Sequence, residues 1–328
     1  MERDIRDRIL EKIQEYDTVM LFRHKRMDGD CVGASKGLQR VLQRSFPQKR
    51  VLLIDGQYSP GLVFAGPDDA EVPEETYRRA LGVVVDTATR DRISNPRYVL
   101  CRELIKIDHH IETDPYGDLK WVEAERSSAC EMIAEFCARF KDRLVMDAEA
   151  AGHLYMGMVT DSGRFRTAEV NGDTLRLAAG LLDAGVDTQR LYGNLYLKDF
   201  IYYKFIAHVY EVMEKTENGV AYAFLDQETQ DRFGMTFEDA SRAIACLDSI
   251  RGCLCALAFI QCPDPAEGIR VRLRSRYVAV DGLAGRYRGG GHAFASGSTV
   301  YSREEALRLV SDADALVKAY KETHADWM

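Results

Sequence analysis

The chain has 328 residues, of which 46% are hydrophobic and 29% charged, and only 8 Pro; this balance excludes a fibrous or disordered protein and gives room for about two domains. Lys+Arg 44 against Asp+Glu 52 leaves a formal net charge of -8, so no general basic surface is available to long DNA or an anionic membrane, and an anionic substrate needs a local cationic site. The opening MERDIRDRILEKI is charged throughout and no apolar stretch reaches spanning length, so a cytoplasmic protein is expected.

In chain order, a charged helix is predicted near residues 2–16, then a buried strand at TVMLFRH (18–24) and a helix at CVGASKGLQRVLQR (31–44). Strands recur at RVLLI (50–54), LGVVVDT (81–87) and ELIKIDHH (103–110). Short β-branched runs separated by helical stretches predict an α/β domain with a parallel sheet, in which ligands gather beyond the carboxyl ends of the strands. Helices are expected from 127 to 213. The first begins with a capping box, Ser128 and Glu131, and turns Ala129, Met132, Ile133, Phe136, Cys137 and Phe140 to one face.

The tract from Val186 to Lys215 reads as a helical connector, dividing the chain into a domain at 1–185, a linker at 186–215 and a second, smaller α/β domain at 216–328. Strands there are expected at GVAYAFL, CLCALAFIQC and IRVRLRS. The eight cysteines contain no C-x-x-C pair, which leaves reduced, buried thiols as the expectation. For Cys246, Cys253, Cys255 and Cys262 a buried strand outweighs a metal site, with Cys253 and Cys255 predicted on one face and Cys262 on the other.

The first strand runs directly into His24, followed by Asp28 and Asp30; LGVVVDT delivers Asp86, LIKIDHH delivers Asp108, His109 and His110, and MGMVTDSGRF delivers Asp161 ahead of a turn. Any one of these aspartates reads as a turn or capping residue. Together, Asp28, Asp30, Asp86 and Asp161 with His24 and His109 form a pool of mutually repelling carboxylates that a cation would neutralise. Several oxygen donors, two imidazoles and no Cys suit Mn2+ or a similar ion, and the ligand count fits two. Two such ions about 3.5–4 Å apart share a carboxylate, hold a hydroxide nucleophile and neutralise a phosphoryl group, so phosphoester hydrolysis is expected.

HKRMDGD, DTATRDRI, IDHH, TDSGRF and GGGH, in that order, resemble the motifs of the DHH phosphoesterase family with its DHH-associated C-terminal domain. The resemblance implies an α/β catalytic domain and a substrate-binding domain with a cleft between them. It assigns His24, Asp28 and Asp86 to one metal and Asp30, Asp86, His109 and Asp161 to the second, with Asp86 bridging. It further implies that Asp108 orients a neighbouring histidine and that His110 lies near the scissile phosphate as electrophile or proton donor. Met27 replaces a frequent Pro and Ala34 a frequent Ser, neither at a ligand position.

Between Arg270 and His292 six arginines (270, 272, 274, 276, 286, 288) face one acid, Asp281, which marks a site for an anion. The plainest reading of IRVRLRSR is a solvated edge strand with its arginines on one face; the family pattern points to Arg274, with Gly289, Gly290, Gly291 and His292, as the substrate-binding element. His153 and His208 read as structural or exposed. Within the family the chain is most similar to the oligoribonucleases that degrade nanoRNA and dephosphorylate 3'-phosphoadenosine 5'-phosphate. A phosphodiesterase for cyclic or linear dinucleotides is the enzymatic alternative, and a non-catalytic nucleotide-binding module the alternative of another class. Short RNA and 3'-phosphoadenosine 5'-phosphate are the expected partners, with room for a homodimer and none for long DNA or a membrane.

Overall fold

The protein is described by a computed structural model covering residues 3–55 and 59–324. It divides into two compact units, one ending at Leu197 and one beginning at Lys198.

In the first unit, α1 (Ile5–Glu15) fills most of the predicted 2–16 helix, of which residue 2 lies outside the described residues. The strands β1 (Thr18–Phe22), β2 (Arg50–Leu53), β3 (Leu81–Val85) and β4 (Glu103–Asp108) stand where the apolar runs predict them. A fifth, β5 (Leu119–Val122), was not predicted: its LKWV is only four residues long and exposes Lys120. All neighbours pair in parallel, in the order β2-β1-β3-β4-β5.

Both faces are covered, which explains the continuous hydrophobic runs. Along β1, Val19 and Leu21 enter one core with α1, α2 (Gly29–Ser45), α4 (Ala129–Arg139) and α5 (Ala148–Asp161), while Met20 and Phe22 enter the other with Tyr77 of the short α3 (Glu74–Arg78). Each such aliphatic side chain contributes about 1.5–3 kcal/mol on burial. Strand order reverses between β1 and β3, and the crevice beyond the carboxyl ends of strands at such a reversal is where doubly wound sheets bind ligands. α6 (Gly172–Asp183) and α7 (Thr188–Tyr196) complete the unit.

The predicted capping box at α4 is half present. Ser128 accepts from the Glu131 amide, but the Glu131 carboxylate turns to the amide and hydroxyl of Ser127.

The second unit opens with α8 (Phe200–Val212), so the expected connector is two helices serving different cores: Leu191 of α7 packs in the first unit, Phe205 and Val209 of α8 in the second. Its six strands are β6 (Glu214–Lys215), β7 (Val220–Leu225), β8 (Cys255–Gln261), β9 (Ile269–Ser275), β10 (Gly290–His292) and β11 (Ala295–Val300), ordered β10-β11-β9-β8-β7-β6. Only β7 and β8 pair in parallel. One face of this sheet packs on α12 (Asp281–Arg286) and α13 (Arg303–Thr323), the other on α8 with α9 (Gln227–Phe233), α10 (Phe237–Ser241) and α11 (Ile244–Leu247).

Two expectations change here. β9 lies inside the sheet between β8 and β11, not at an edge. Cys253 precedes β8 in a turn, donating its amide to the Ile250 carbonyl, so it packs against one face while Cys255 packs against the other. Among the described residues no helix is long and apolar enough to cross a membrane.

Candidate metal centre

β1 and β3 end at the topological reversal, and β4 lies next to β3, so side chains just past their carboxyl ends converge. His24 follows β1 and donates its Nδ1 hydrogen to the Lys25 carbonyl at 2.6 Å, which leaves Nε2 facing inward, 3.4 Å from Asp28 Oδ2 and 3.3 Å from Asp86 Oδ2. His109 follows β4 and is held the same way by the Arg126 carbonyl at 3.1 Å; its Nε2 lies 3.4 Å from Asp86 Oδ1, 3.3 Å from Asp161 Oδ2 and 3.8 Å from Asp30 Oδ2. Two imidazoles fixed through Nδ1 and presenting Nε2 to carboxylates are arranged as metal ligands are.

Three aspartates are placed by helix ends. Asp28 caps α2, one oxygen accepting from the amides of Asp30 and Cys31, the other free for His24. Asp30, in the first turn of α2, accepts from the Ala129 and Cys130 amides at the start of α4, a helix N-terminus suited to an anion. Asp161 is the last residue of α5. It precedes a turn in which Gly163, Arg164 and Phe165 all take positive φ.

α2 and α5 approach so closely because of glycines. A Cβ on Gly33 would sit 2.4 Å from the His153 carbonyl, and one on Gly157 would sit 2.1 Å from Cys130 Sγ and 2.7 Å from Asp30 Oδ1. Asp86 adopts φ 50°, is 1% exposed, and neither carboxylate oxygen has a hydrogen-bond donor.

The electrostatics follow from crowding. Burial and the charges of Asp86 and Asp161 push Asp30 well up; burial, with Asp86 and Asp28, raises Asp161 to about 6 against the pull of His109. Burial also opposes charge on Asp28 and on both imidazoles, but is outweighed: His24 holds Asp28 down to about 2, Asp28 and Asp86 raise His24, and Asp86, Asp30 and Asp161 raise His109 to about 10. Protons on the two rings thus neutralise carboxylates that a divalent cation would otherwise hold.

The structure therefore brings together all six residues expected as ligands: His24, Asp28, Asp30, Asp86, His109 and Asp161. Their donors form the groups His24–Asp28–Cys31–Asp86, Asp86–His109–His110 and Asp30–His109–Asp161, each within 4.8 Å. Cys31 corrects the premise of a cysteine-free pool. Its place in an apolar helical stretch reads as core, and only the Asp28 cap, folding the first turn of α2 back toward His24, brings the thiol there.

Asp108 is fully buried, accepts from His110 Nδ1 at 2.8 Å, and lies 3.3 Å from the buried Lys106 ammonium. Burial raises its pKa, but His110 and Lys106 prevail and hold it low. Lys106, which the sequence reading passed over, donates to the Ala88 carbonyl and lies over the Tyr116 ring.

In the second unit, Gly290, Gly291 and His292 form the exposed strand β10, and Gly289 and Gly291 approach β11 so closely that a Cβ would meet the Gly297 and Ala295 carbonyls at 2.0 and 2.7 Å. Arg286 and Arg288 pair with Asp312 and Glu305. Arg270, Arg272, Arg274 and Arg276 have no ion-pair partner among the described residues. Burial and neighbouring Arg272 lower the pKa of Arg274.

Residues 18–158 match the model of the DHH family, N-terminal domain. The chain is 37% identical over 314 residues to the bifunctional oligoribonuclease and PAP phosphatase NrnA of Bacillus subtilis, covering 95% of this chain and 99% of that one. It is 35% identical to the probable bifunctional oligoribonuclease and PAP phosphatase NrnA of Streptococcus mutans, covering 94% and 98%. In fold it is similar to the crystal structure of an exopolyphosphatase-related protein from Bacteroides fragilis, with a TM-score of 0.84, 22% identity and 97% of each chain covered.

Proposed function

Since the chain belongs to the DHH family and is a hydrolase of its phosphodiesterase and phosphatase kind, we propose that it hydrolyses short oligoribonucleotides and 3'-phosphoadenosine 5'-phosphate with the help of two divalent cations, Mn2+ being the expected species. The observation that carries this reading is Asp86, a buried carboxylate with no hydrogen-bond donor at the meeting point of His24 and His109. Such a group is costly to bury unless a cation compensates it.

His24, Asp28 and Asp86 would hold one cation and Asp30, Asp86, His109 and Asp161 the other. When bound, such a pair polarises a phosphoryl group and lowers the pKa of water to supply a nucleophile. Asp108 accepts from His110 Nδ1, which leaves Nε2 as the free ring nitrogen; as an imidazolium the ring would donate from Nε2 to a phosphoryl or leaving-group oxygen. At 32% exposure the ring remains accessible to a substrate. Arg274, Gly289, Gly290, Gly291 and His292 would bind a second phosphate or the terminal nucleotide, as bidentate guanidinium and close backbone approach favour.

Purified protein supplied with Mn2+ and offered labelled RNA of two to five nucleotides, 3'-phosphoadenosine 5'-phosphate and a cyclic dinucleotide tests this. Release of mononucleotides and of phosphate from the first two, abolished by a chelator, is expected. Faster turnover of the cyclic dinucleotide would transfer the assignment to that substrate class.

A further inference from the structure

We infer that Cys31 is a fourth side-chain ligand in the His24–Asp28–Asp86 half of the centre, making that half selective for a borderline-soft divalent cation such as Zn2+ or Co2+ while the other half favours Mn2+. This rests on the two-cation reading above and adds an asymmetry to it.

The donor atoms of His24, Asp28, Cys31 and Asp86 all lie within 4.8 Å of one another. A tetrahedral ion with bonds of about 2.0–2.3 Å spaces its ligand atoms roughly 3.3–3.8 Å apart, so small side-chain rotations close these four around one ion. Cys31 is fully buried; its thiol donates a long hydrogen bond, 3.6 Å, to the Asp28 carbonyl, which competes weakly with a metal, and it also meets the His24 ring. Asp86, 1% exposed with both oxygens lacking donors, marks the same spot independently as a place for a cation.

The other group, Asp30–His109–Asp161, contains no sulfur. One half is thus an N,O,O,S set and the other oxygen-rich with one imidazole. Thiolate and imidazole select Zn2+ and its neighbours, whereas carboxylate suits Mn2+. Binding would displace the thiol proton and the His24 Nε2 proton to solvent and form one S–metal and one N–metal bond besides those to the carboxylates, with no change of oxidation state.

The test is cobalt loading of the reduced, full-length protein, with Co2+ content measured by elemental analysis and the near-ultraviolet thiolate-to-cobalt charge-transfer band recorded. Wild type is expected to show the band, Cys31→Ala and Cys31→Ser to lose it, and Cys246→Ser, in the other unit, to keep it. Zn2+ affinity should fall at least about tenfold in the Cys31 variants, the scale of ligand-shell effects, with Mn2+ affinity moving far less. Bound cobalt with no charge-transfer band in the wild type overturns the inference without any variant, leaving the two-cation reading intact. A band that persists in folded Cys31→Ala overturns it too. A wild type that takes up no cobalt, zinc or manganese overturns both.

Discussion

Asp86 combines three features that seldom coincide: a positive φ in a non-glycine residue, near-complete burial, and two carboxylate oxygens without donors. Strain and a buried carboxylate met by two imidazoles at 3.3–3.4 Å point to a site built for a ligand. Asn tolerates the left-handed region and keeps the shape, so Asp86→Asn removes the charge and replaces one ligand oxygen by an amide NH2. Hydrolysis should fall at least about a thousandfold. Circular dichroism should be unchanged, while the rise in thermal midpoint on adding Mn2+ or Zn2+, worth about 2.7 kcal/mol at a hundredfold excess over Kd in the wild type, should largely vanish. Two tightly held ions with normal turnover in Asp86→Asn would sink the dinuclear reading. Most of this cluster was legible in the sequence because parallel strands point the same way, so His24, Asp86 and His109, each just past a buried run, had to gather at one edge. What could not be read was Cys31, since nothing in its apolar surroundings distinguishes a core thiol from one turned toward His24 by a cap.

The packing of α2 on α5 determines whether Asp30 and Asp161 can share His109. Gly29, Gly33 and Gly37 recur every four residues on α2 and face α5, where Thr160, the His153 carbonyl and Leu154 occupy the space of their missing Cβ atoms. Gly157→Ala should therefore lower stability by about 1–3 kcal/mol and reduce activity, because its methyl group meets Cys130 and Asp30. Gly152→Ala, in the same helix but with open space around it, should stabilise by about 0.5–1 kcal/mol with activity unchanged. Denaturant melts of the two variants separate the outcomes, and equal losses would mean that the close approach of Gly157 to Cys130 and Asp30 is not what sets the packing of α5. This ridge went unread as a contact surface because a glycine spacing names no partner until the topology supplies one.

The same interface carries a pH dependence. Burial, reinforced by Lys36 and Arg40 of α2, lowers His153 to about 4. As pH falls, the unfolded chain takes up this proton near 6.5 and the folded one only near 4, so stability is lost across that window, by an amount on the order of 2–3 kcal/mol. His153→Gln should flatten the slope of stability between pH 6.5 and 4; an unchanged slope would place the titration elsewhere.

At the scale of the whole molecule, the clustered carboxylates and the arginines of β9 reside in different units, each with its own core. The aromatic tract around YLKDFIYYK hid the division, since hydrophobic periodicity shows that a helix buries a face but not in which core: Leu191 and Phe205 stand 14 positions apart yet serve different ones. The separation of roles bears on substrate length. A net charge of -8 disfavours long polyanions, so on the proposed reading affinity comes from the local cluster at Arg274 and His292, which would favour a substrate with a second phosphate or nucleotide to offer. Arg274→Ala and His292→Ala should each lower kcat/KM for a dinucleotide by about ten- to a hundredfold, the loss of one charge-assisted contact. Bis-p-nitrophenyl phosphate, which carries no second anchor, should be hydrolysed by both variants at nearly the wild-type rate. The loss on the dinucleotide should appear mainly in KM if the cluster binds ground and transition states alike, and in kcat if it positions the phosphate for attack. A parallel fall for dinucleotide and reporter would show that Arg274 supports the fold or the metal centre, and the anchor would have to be sought elsewhere in the chain.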